Sequence, residues 1–396
     1  MSKNHKATKA MVIKEGGILM KKVVLIPDSF KGTMSSQEIC LVMRDALTKH
    51  YPDCSVIPIP VADGGAGTVD AFLAIAGGEK IFKNVTGPFS DSIVEGYYAM
   101  LEGGVAVIEM CSAAGIALLE DRWDPSRATT YGVGELILDA LDRGAKKIIL
   151  GLGESATNDA ACGLAASLGV SFYNAMGNTF TPVGATLDQI DMIDISTMDA
   201  RLKNIPIVTI CDVDIPFCGP DGAVASDAAI KGADPSMIIS LESKMSRLAG
   251  ILKRSSGVDV ENLKGAGAAG GMGGGMAAMF SSELVSGVDA ILDSVKFEEL
   301  IKDADLILTG EGSFDAESLH GKVVIGVARR AKKLNKKVLA FVGDIGDSVE
   351  KAYDEGVTGI FSINRVAVSY LEARERAMDD LYLTVDNVLR CVKAFA

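Results

Sequence analysis

The chain has 396 residues, of which 48% are hydrophobic and 23% charged, a composition typical of a globular protein with enough core for two domains. A formal net charge of -13, a pI near 4.8 and the lack of a clustered basic stripe argue against a nucleic-acid surface. No apolar run reaches the roughly 18 residues of a membrane span. Three histidines argue against a histidine-based metal site or a Ser/His/Asp triad, and seven scattered cysteines without a CxxC pair indicate a reducing cytoplasm.

The N-terminal segment 1–20 is polar and aperiodic, and it lacks the apolar core of a signal peptide. Glu15-Gly16-Gly17 can be encoded by a purine run resembling a bacterial ribosome-binding site, shortly before Met20. We therefore expect this segment to be a disordered tail, or translation to start at Met20.

The first structured unit follows from Lys21. The apolar, β-branched run "KKVVLIP" predicts a buried parallel strand. The loop "DSFKGTMSS" then leads to a helix that Ser35 or Ser36 can cap and that runs through about Lys49. A second strand, "CSVIPIP", precedes the glycine loop "ADGGAGT" and the helix "VDAFLAIA".

The middle of the chain, residues 81–287, has a different pattern. The runs "SIVEGYYAML" and "GVAVIEMC" predict an antiparallel pair, followed by a helix from Thr130 to Arg143, a strand, and a helix from Asn158 to Leu168. "PIVTICDVD" and a helical stretch to Leu252 come next. We interpret this segment as a second α/β domain inserted into the first.

The C-terminal third returns to strand–helix alternation, with strands "DADLILTG", "KKVLAFVG" and "GVTGIFSI" and a final helix over about Ser369–Lys393. The predicted fold class is α/β with two domains: a Rossmann-like parallel-sheet domain of residues 21–80 plus 288–396, and the inserted domain 81–287. Ligands of such sheets bind at the carboxyl ends of the strands, where the loops "PDSFKG", "ADGGAG", "TGEGSFD" and "VGDIG" stand. A cleft between the domains is the expected site.

Several carboxylates and lysines in these loops are candidate catalytic or ligand-binding residues. Glu311 and Asp315, four residues apart after a strand, suit Mg²⁺ or a base acting on a hydroxyl. The alternative is that Asp315 or Ser313 caps a helix. Lys31 and Lys231 each precede a glycine and suit a phosphate or carboxylate, although each is also compatible with a solvated lysine. Of Asp212 and Asp214 in "CDVDIP", only one is expected to face the site.

Two glycine-rich stretches need separate treatment. "GAGAAGGMGGG" matches G-x-G-x-x-G at Gly265, Gly267 and Gly270, but no convincing strand precedes it, so phosphate contact through backbone N–H groups and simple close packing both remain open. "HGKVVIG" is not a Walker A loop, because Val follows Lys322. A third stretch, "GESATNDAACG", follows a buried strand. Its four small polar side chains, Ser155, Thr157, Asn158 and Asp159, predict that a polar ligand binds there.

Taken in order, the motifs "PDSFKG", "ADGG-GTV", "IEM-SA-GI-L", "G-SATND", "CDV--P--G--GA", "KGAD", "GAGAAGG" and "LTGEG--D-----GK" resemble the glycerate kinases of the bacterial type I family, over nearly the whole chain from Lys21. The resemblance implies a two-domain α/β kinase that phosphorylates D-glycerate from ATP with Mg²⁺, usually at the 2-hydroxyl. It makes "SATND" one wall of the cleft, with capping of the following helix by Asn158 and Asp159 as the alternative.

The candidate site residues fall into four groups. Catalytic candidates are Asp315, Asp63 and Lys31, with Asp159 as a competitor for the base. Candidate substrate ligands are Ser29, Lys31, Ser155, Thr157, Asn158 and Asp159. Candidate nucleotide or phosphate ligands are Lys231, Gly265, Gly267, Gly270, Gly271 and Glu311. Candidate metal ligands are Asp159, Asp212 and Asp315.

The chain departs from the family pattern in its site loops. Residues that replace the usual ones are Ala66 (usually Glu), Glu154 (Gly), Ala160 and Ala161 (Gly), Ile215 (Asn), Ile230 (Gln) and Ser313 (Arg). The missing Arg matters most, because its charge suits a transferring phosphoryl group. Three hypotheses follow: a D-glycerate kinase, a catalytically weakened relative that senses a sugar acid or nucleotide, and a kinase of another short hydroxy acid. No nucleic-acid or membrane partner is expected, and a homodimer is one option that the sequence leaves open.

Overall fold

The computed structural model describes residues 20–30, 32–62, 64–316, 318–347 and 349–395. Its strands are β1 (Lys22–Pro27), β2 (Ser55–Pro58), β3 (Gly78–Thr86), β4 (Ile93–Leu101), β5 (Val105–Glu109), β6 (Lys147–Gly151), β7 (Ser171–Tyr173), β8 (Met192–Asp194), β9 (Ile207–Ile210), β10 (Glu283–Val285), β11 (Leu306–Phe314), β12 (Val338–Ile345) and β13 (Gly359–Ser362). Its α-helices are α1 (Ser36–His50), α2 (Thr68–Ala76), α3 (Cys111–Ala114), α4 (Tyr131–Asp142), α5 (Cys162–Ser167), α6 (Ala223–Asp227), α7 (Pro235–Ser256), α8 (Ala268–Phe280), α9 (Gly287–Ser294), α10 (Phe297–Leu300), α11 (Val323–Lys332), α12 (Lys351–Asp354) and α13 (Tyr370–Phe395). The predicted tail up to residue 19, Lys31 and Asp63 lie outside the described residues.

Five strands form sheet A, in the order β13-β12-β11-β1-β2, and each neighbouring pair is parallel. Counted along this sheet alone, the order is 2-1-3-4-5, so the winding direction reverses between β1 and β11. Pro27 at the end of β1 pairs with Gly310 of β11. In doubly wound sheets such a reversal opens a crevice at the carboxyl ends of the strands, which confirms the predicted Rossmann-like class and marks where a ligand would bind.

Helices cover both faces of sheet A. On one face α1 and α13 pack on Leu25 and Phe341. The predicted N-cap of α1 is confirmed at Ser35, whose hydroxyl accepts the Glu38 N–H while the Glu38 carboxylate accepts the Ser35 N–H. On the other face, α2, α9 and α11 pack on Val24 and Ile26.

Six strands form sheet B, in the order β10-β9-β6-β5-β4-β3. The strands β5, β6, β9 and β10 are parallel, whereas β3, β4 and β5 are antiparallel, as predicted for the last two. The strands β7 and β8 form a separate small pair. All strands of sheet B lie between β2 and β11 in the chain, which is the pattern of an insertion; the boundaries near residues 80 and 287 stay a prediction.

One apolar cluster joins the two sheets. Phe72 of α2 and Ile291 of α9 are buried together with Ile26 from sheet A and with Val107 and Ile149 from sheet B. Helix α2, which the sequence places in the first domain, therefore packs against both sheets. Among the described residues, the model contains no helix that is both long and apolar enough to cross a membrane.

Candidate active site

Polar side chains gather at the reversal between β1 and β11. Asp28 and Ser29 follow β1. Glu311 lies in the C-terminal half of β11, and Asp315 directly follows that strand. The Asp28 N–H donates to the Gly310 carbonyl at 2.8 Å, which joins the two strand ends, and the Ser29 N–H donates to the Asp28 carboxylate at 2.7 Å. The loops predicted separately from sequence therefore meet at one edge of sheet A.

Glu311 is the most unusual group at this edge. Its side chain is 4% exposed, and neither carboxylate oxygen has a hydrogen-bond partner of good geometry in the described part of the chain, although the Ser318 hydroxyl and the Val324 N–H lie close enough to oppose the rise in its pKa. Burial raises the pKa of Glu311 from its usual 4.5 to about 7, and the nearby charge of Asp28 adds to this shift. A buried carboxylate without partners is costly, so a bound group that satisfies it would be strongly favoured.

Asp315 has the capping contacts that the sequence offered as an alternative. Its carboxylate accepts the Ser318 N–H at 3.4 Å, its own N–H donates to the Ser318 hydroxyl at 3.2 Å, and the Ser313 hydroxyl donates to it at 3.4 Å. Because a carboxylate has about four acceptor positions, these contacts are compatible with ligand binding as well. The structure therefore places Asp315 directly after β11, and its chemical role stays a prediction.

A second group of polar residues follows β6. Lys231, in a short turn after α6, is 2% exposed, and its ammonium donates to the Ser155 hydroxyl and the Thr157 carbonyl, each at 2.9 Å. Asp227 accepts the third bond at 2.8 Å. Burial lowers the pKa of Lys231, and the charges of Asp227 and Asp159 oppose that shift. Lys231 thus binds the loop itself, a contact that the predicted phosphate role did not anticipate.

Beside these contacts, several polar atoms are buried without partners. The Thr157 hydroxyl and both polar atoms of the Asn158 amide have no hydrogen-bond partner among the residues that the structure describes, and both side chains are 0% exposed. Together they offer hydroxyl, amide N–H and amide C=O groups within two adjacent residues. That is the donor and acceptor set that a hydroxy acid requires.

Asp159 is engaged within the protein. Its carboxylate accepts the N–H and hydroxyl of Thr130 at 2.8 and 2.9 Å, and the N–H groups of Gly163 and Ala161, each at 3.2 Å. It is 0% exposed, and burial raises its pKa while the Thr130 bonds oppose the shift. This geometry favours the capping alternative at the start of α5 over the predicted metal or substrate role.

The glycine loop after β2 connects the two groups. Gly64 packs so closely on Gly151 that a Cβ at Gly151 would lie 2.3 Å from the Gly64 carbonyl oxygen, and a Cβ at Gly64 would lie 2.8 Å from the Ile210 side chain. The Gly153 N–H donates to the same carbonyl at 3.0 Å. The loop of sheet A therefore rests on the carboxyl ends of β6 and β9, and only glycine allows this approach.

The predicted phosphate loop is a close-packed segment. A Cβ would come within 2.8 Å or less of a neighbouring atom at each of Gly265, Gly267, Gly270 and Gly271. The N–H groups of Gly267 and Gly271 donate to the carbonyls of Ile215 and Gly267, at 2.9 and 3.0 Å. Gly270 packs on the Thr157 carbonyl with φ +67°. The geometry favours the close-packing alternative for these glycines, and one of them, Gly270, packs directly on Thr157 and Asn158.

Asp212 follows β9 and contacts the start of α9. It is exposed, and its carboxylate accepts the Gly287 N–H at 2.7 Å at the start of α9. Asp214 forms an ion pair with Lys264 at 2.8 Å. The described residues contain no cluster of three His, Cys, Asp or Glu side chains arranged for a metal ion, so the predicted metal ligands Asp159, Asp212 and Asp315 do not form one site.

Three departures from the family pattern share a backbone property. Glu154, Ala160 and Ala161 have φ angles of 61°, 50° and 62°, in the left-handed region. Glycine occupies that region without cost, whereas a side chain costs about 1–2 kcal/mol there. The glycines of the family pattern at these positions therefore have a physical explanation, and this chain bears strain on both sides of Ser155–Asp159. The prediction of a helix from Asn158 was wrong for the same reason, because α5 begins only at Cys162.

The family model of the glycerate kinase family matches residues 23–393. The chain belongs to the glycerate kinase family. It is 38% identical to a protein named glycerate 2-kinase of Escherichia coli K12 and 39% identical to a glycerate kinase of Bacillus cereus, over 93% of this chain and 97% of each relative. A crystal structure of a provisionally assigned glycerate kinase 2 from Salmonella typhimurium LT2 superposes with a TM-score of 0.82 at 36% identity, covering 95% of this chain and 99% of that one.

Sequence reasoning overlooked two residues of this family member. Asp28 was present in the motif "PDSFKG" but was not selected, although the reversal in sheet A places it beside Glu311. Asp227, the partner of Lys231, carried a usable signal, because four residues separate it from Lys231 and place both on one side of a helical turn.

The carboxylates at the edge of sheet A fit a magnesium ion better than the predicted combination of Asp159, Asp212 and Asp315 does. Mg²⁺ in kinases takes one or two carboxylates together with substrate phosphates, so a cluster of three protein ligands is not required. The carboxylate of Glu311, with Asp28 beside it at the same edge, supplies the hard oxygen atoms that this ion prefers.

Proposed function

We propose that this protein transfers the γ-phosphoryl group of ATP to the 2-hydroxyl of D-glycerate. The observation that carries the proposal is the buried, unpartnered carboxylate of Glu311 at the reversal of sheet A, in a chain of the glycerate kinase family. The name of the Escherichia coli relative supports the 2-position.

The proposed chemistry is an in-line transfer. A carboxylate accepts the proton of the acceptor hydroxyl, the new O–P bond forms, and the bond between the γ-phosphorus and its bridging oxygen breaks, releasing ADP. Asp315 is our candidate for the base, and Asp63 is its competitor. Asp159 is disfavoured because four protein donors already occupy its carboxylate.

The remaining roles follow from position. We propose that Ser155, Thr157 and Asn158 bind the carboxylate and hydroxyls of glycerate, and that Ser29 and Lys31 approach the reacting groups from the loop after β1. Glu311, with Asp28, would hold Mg²⁺, which when bound neutralises charge on the phosphates. Cytoplasmic function is supported by seven cysteines that are all free. Light scattering distinguishes the homodimer option from a monomer.

The experiment is ADP release by the purified chain with Mg-ATP and D-glycerate, repeated with L-glycerate, tartronate and glycolate. Turnover with D-glycerate that Asp315→Asn removes and that Asp53→Asn, an exposed control, retains would support the proposal. Turnover with another acid alone would contradict the substrate and favour a kinase of a different hydroxy acid.

One observation favours that second candidate. Glu154 is exposed and directly precedes Ser155, so it adds negative charge where an anionic acid would approach. A less charged or differently shaped acid is then the preferred substrate. Glu154→Gly should shift the relative rates toward D-glycerate if this second candidate is correct.

A further inference from the structure

Lys231 has an environment that a phosphate-binding lysine would not have. The three N–H bonds of its ammonium are directed to Ser155, Thr157 and Asp227, at 2.9, 2.9 and 2.8 Å. An ammonium has three donors, so these partners use its full capacity. With all three donors used inside the protein, the ammonium has none left for a nucleotide phosphate, whereas the equally buried side chains of Thr157 and Asn158 keep unused donors and acceptors in the described part of the chain.

Two of these bonds hold a segment that lies outside the helices and long strands, where its backbone also contacts Gly115, Ile116 and Gly270. Ser155 and Thr157 flank Ala156, whose N–H donates to the Ala114 carbonyl at 2.9 Å. Residues with left-handed backbone lie on both sides, at Glu154 and Ala160. Since side chains disfavour that conformation, the segment needs cross-links from outside to keep its geometry. Lys231, 76 residues away from Ser155 in sequence, provides two of them.

The held segment also carries unsatisfied polar atoms. The bond to the Thr157 carbonyl fixes the peptide that leads directly into Asn158. The Thr157 hydroxyl and the Asn158 amide are fully buried without partners in the described part of the chain. Their directions are therefore set by the backbone that Lys231 anchors, and not by hydrogen bonds of their own.

We propose that Lys231 is a positioning residue for the acceptor substrate: it fixes the Ser155–Asn158 segment so that Thr157 and Asn158 bind the carboxylate and hydroxyl of a hydroxy acid, and it does not contact phosphate. This inference rests on the proposed function. It differs from the phosphate role expected from sequence, and the two roles predict losses with different substrates.

The kinetic test uses Lys231→Met, which keeps the length and removes the charge. We expect kcat/KM for glycerate to fall about 100-fold, as one misplaced binding segment can cause, while the KM for ATP stays within about twofold of wild type. Ser155→Ala should cause a smaller loss and add almost nothing in the Lys231→Met background, because both changes release the same segment. A raised KM for ATP, or additive losses in the double variant, would overturn the proposal.

A second readout does not depend on turnover. Hydrogen–deuterium exchange of amides 154–161 should rise in Lys231→Met and, to a smaller extent, in Ser155→Ala, which removes one hydrogen bond only and keeps the core intact. Lys253→Met, which removes an exposed lysine paired with Asp259 at 2.7 Å, should leave these amides unchanged. If wild type phosphorylates no hydroxy acid, the proposed function fails while exchange still tests the positioning role. Unchanged exchange at 154–161 in both site variants would refute that role even in an active kinase.

Discussion

The two polar regions of this kinase differ in whether their buried charged groups already have hydrogen-bond partners. At the reversal of sheet A, Glu311 is buried without a hydrogen bond of good geometry to any described residue, so a bound group that satisfies its carboxylate would be favoured there. In the loop after β6, Asp159 and Lys231 are equally buried, yet every bond they can make goes to the protein. Buried charge alone therefore does not identify a reactive group. What matters is whether the charge is already satisfied.

The largest expected effect concerns Asp315. Replacing it with Asn should lower kcat about 1,000-fold, because a positioned base contributes roughly 10²–10⁴ to the rate. The thermal stability of the variant should change little, because the capping hydrogen bonds between Asp315 and Ser318 are long, at 3.2–3.4 Å. Steady-state kinetics and a thermal melt on the same preparation check both expectations. An Asp315→Asn enzyme with the kcat of wild type would contradict this role and favour Asp63 as the base.

Asp159 should show the reverse behaviour, with its main effect on stability. Asp159→Ala leaves three buried backbone N–H groups without an acceptor, and we expect a loss of about 4 kcal/mol in the free energy of unfolding. Asp159→Asn, which keeps one oxygen acceptor, should lose less. Urea titration measures both. An Asp159→Ala protein of normal stability that has lost only activity would contradict the capping role.

Glu311 should make stability depend on pH. Its pKa rises from 4.5 unfolded to about 7 folded, so the folded state binds more protons between these values, and stability falls as pH rises through this window. Above pH 7 the ionised carboxylate costs about 3 kcal/mol relative to the unfolded chain. Glu311→Gln should therefore be more stable than wild type at pH 8 and nearly equal at pH 4.

Urea titrations of wild type and Glu311→Gln at these two pH values, without nucleotide or metal, provide the check. A stability difference that does not change with pH would show that Glu311 titrates normally. The same variant should lose activity, since the carboxylate is proposed to hold the metal ion.

The smallest expected effect concerns the strained backbone. Glu154→Gly should raise the free energy of unfolding by about 0.5–1 kcal/mol, because glycine relieves the left-handed conformation at φ 61° but costs some chain entropy. Glu154→Ala is the matched control: it removes the same charge, keeps the Cβ, and should not stabilise. Equal melting temperatures for the two variants would argue that charge, and not backbone strain, sets the effect.

Much of the fold was accessible from sequence because its signals are local. The apolar run of β1 and the Ser35 cap of α1 each predicted their elements correctly. The strand β3 was missed, since it forms an edge of sheet B and most of its side chains are exposed, which removes the apolar pattern. The delayed start of α5 was missed because left-handed angles at Ala160 and Ala161 leave no mark in a single sequence.

The candidate site was predicted less completely, because its decisive features are tertiary. The sequence predicted that Glu311 and Asp315 lie at the end of the same strand, but it did not indicate that Glu311 is buried. Two partners of Lys231, Thr157 and Ser155, lie 74 and 76 residues away in the chain, so its contacts with this loop could not be predicted from neighbouring residues. The glycines from Gly265 to Gly271 resembled a phosphate loop because close packing and phosphate binding select the same residue.

The most direct test of the account identifies the product of the reaction. The purified chain is incubated with Mg-ATP and D-glycerate, and the product is offered to enolase, which accepts 2-phosphoglycerate and not the 3-isomer. We predict ADP and enolase-convertible product in equal amounts. No ADP above background, or a product that enolase leaves untouched, would contradict the central claim that this protein phosphorylates the 2-hydroxyl of glycerate.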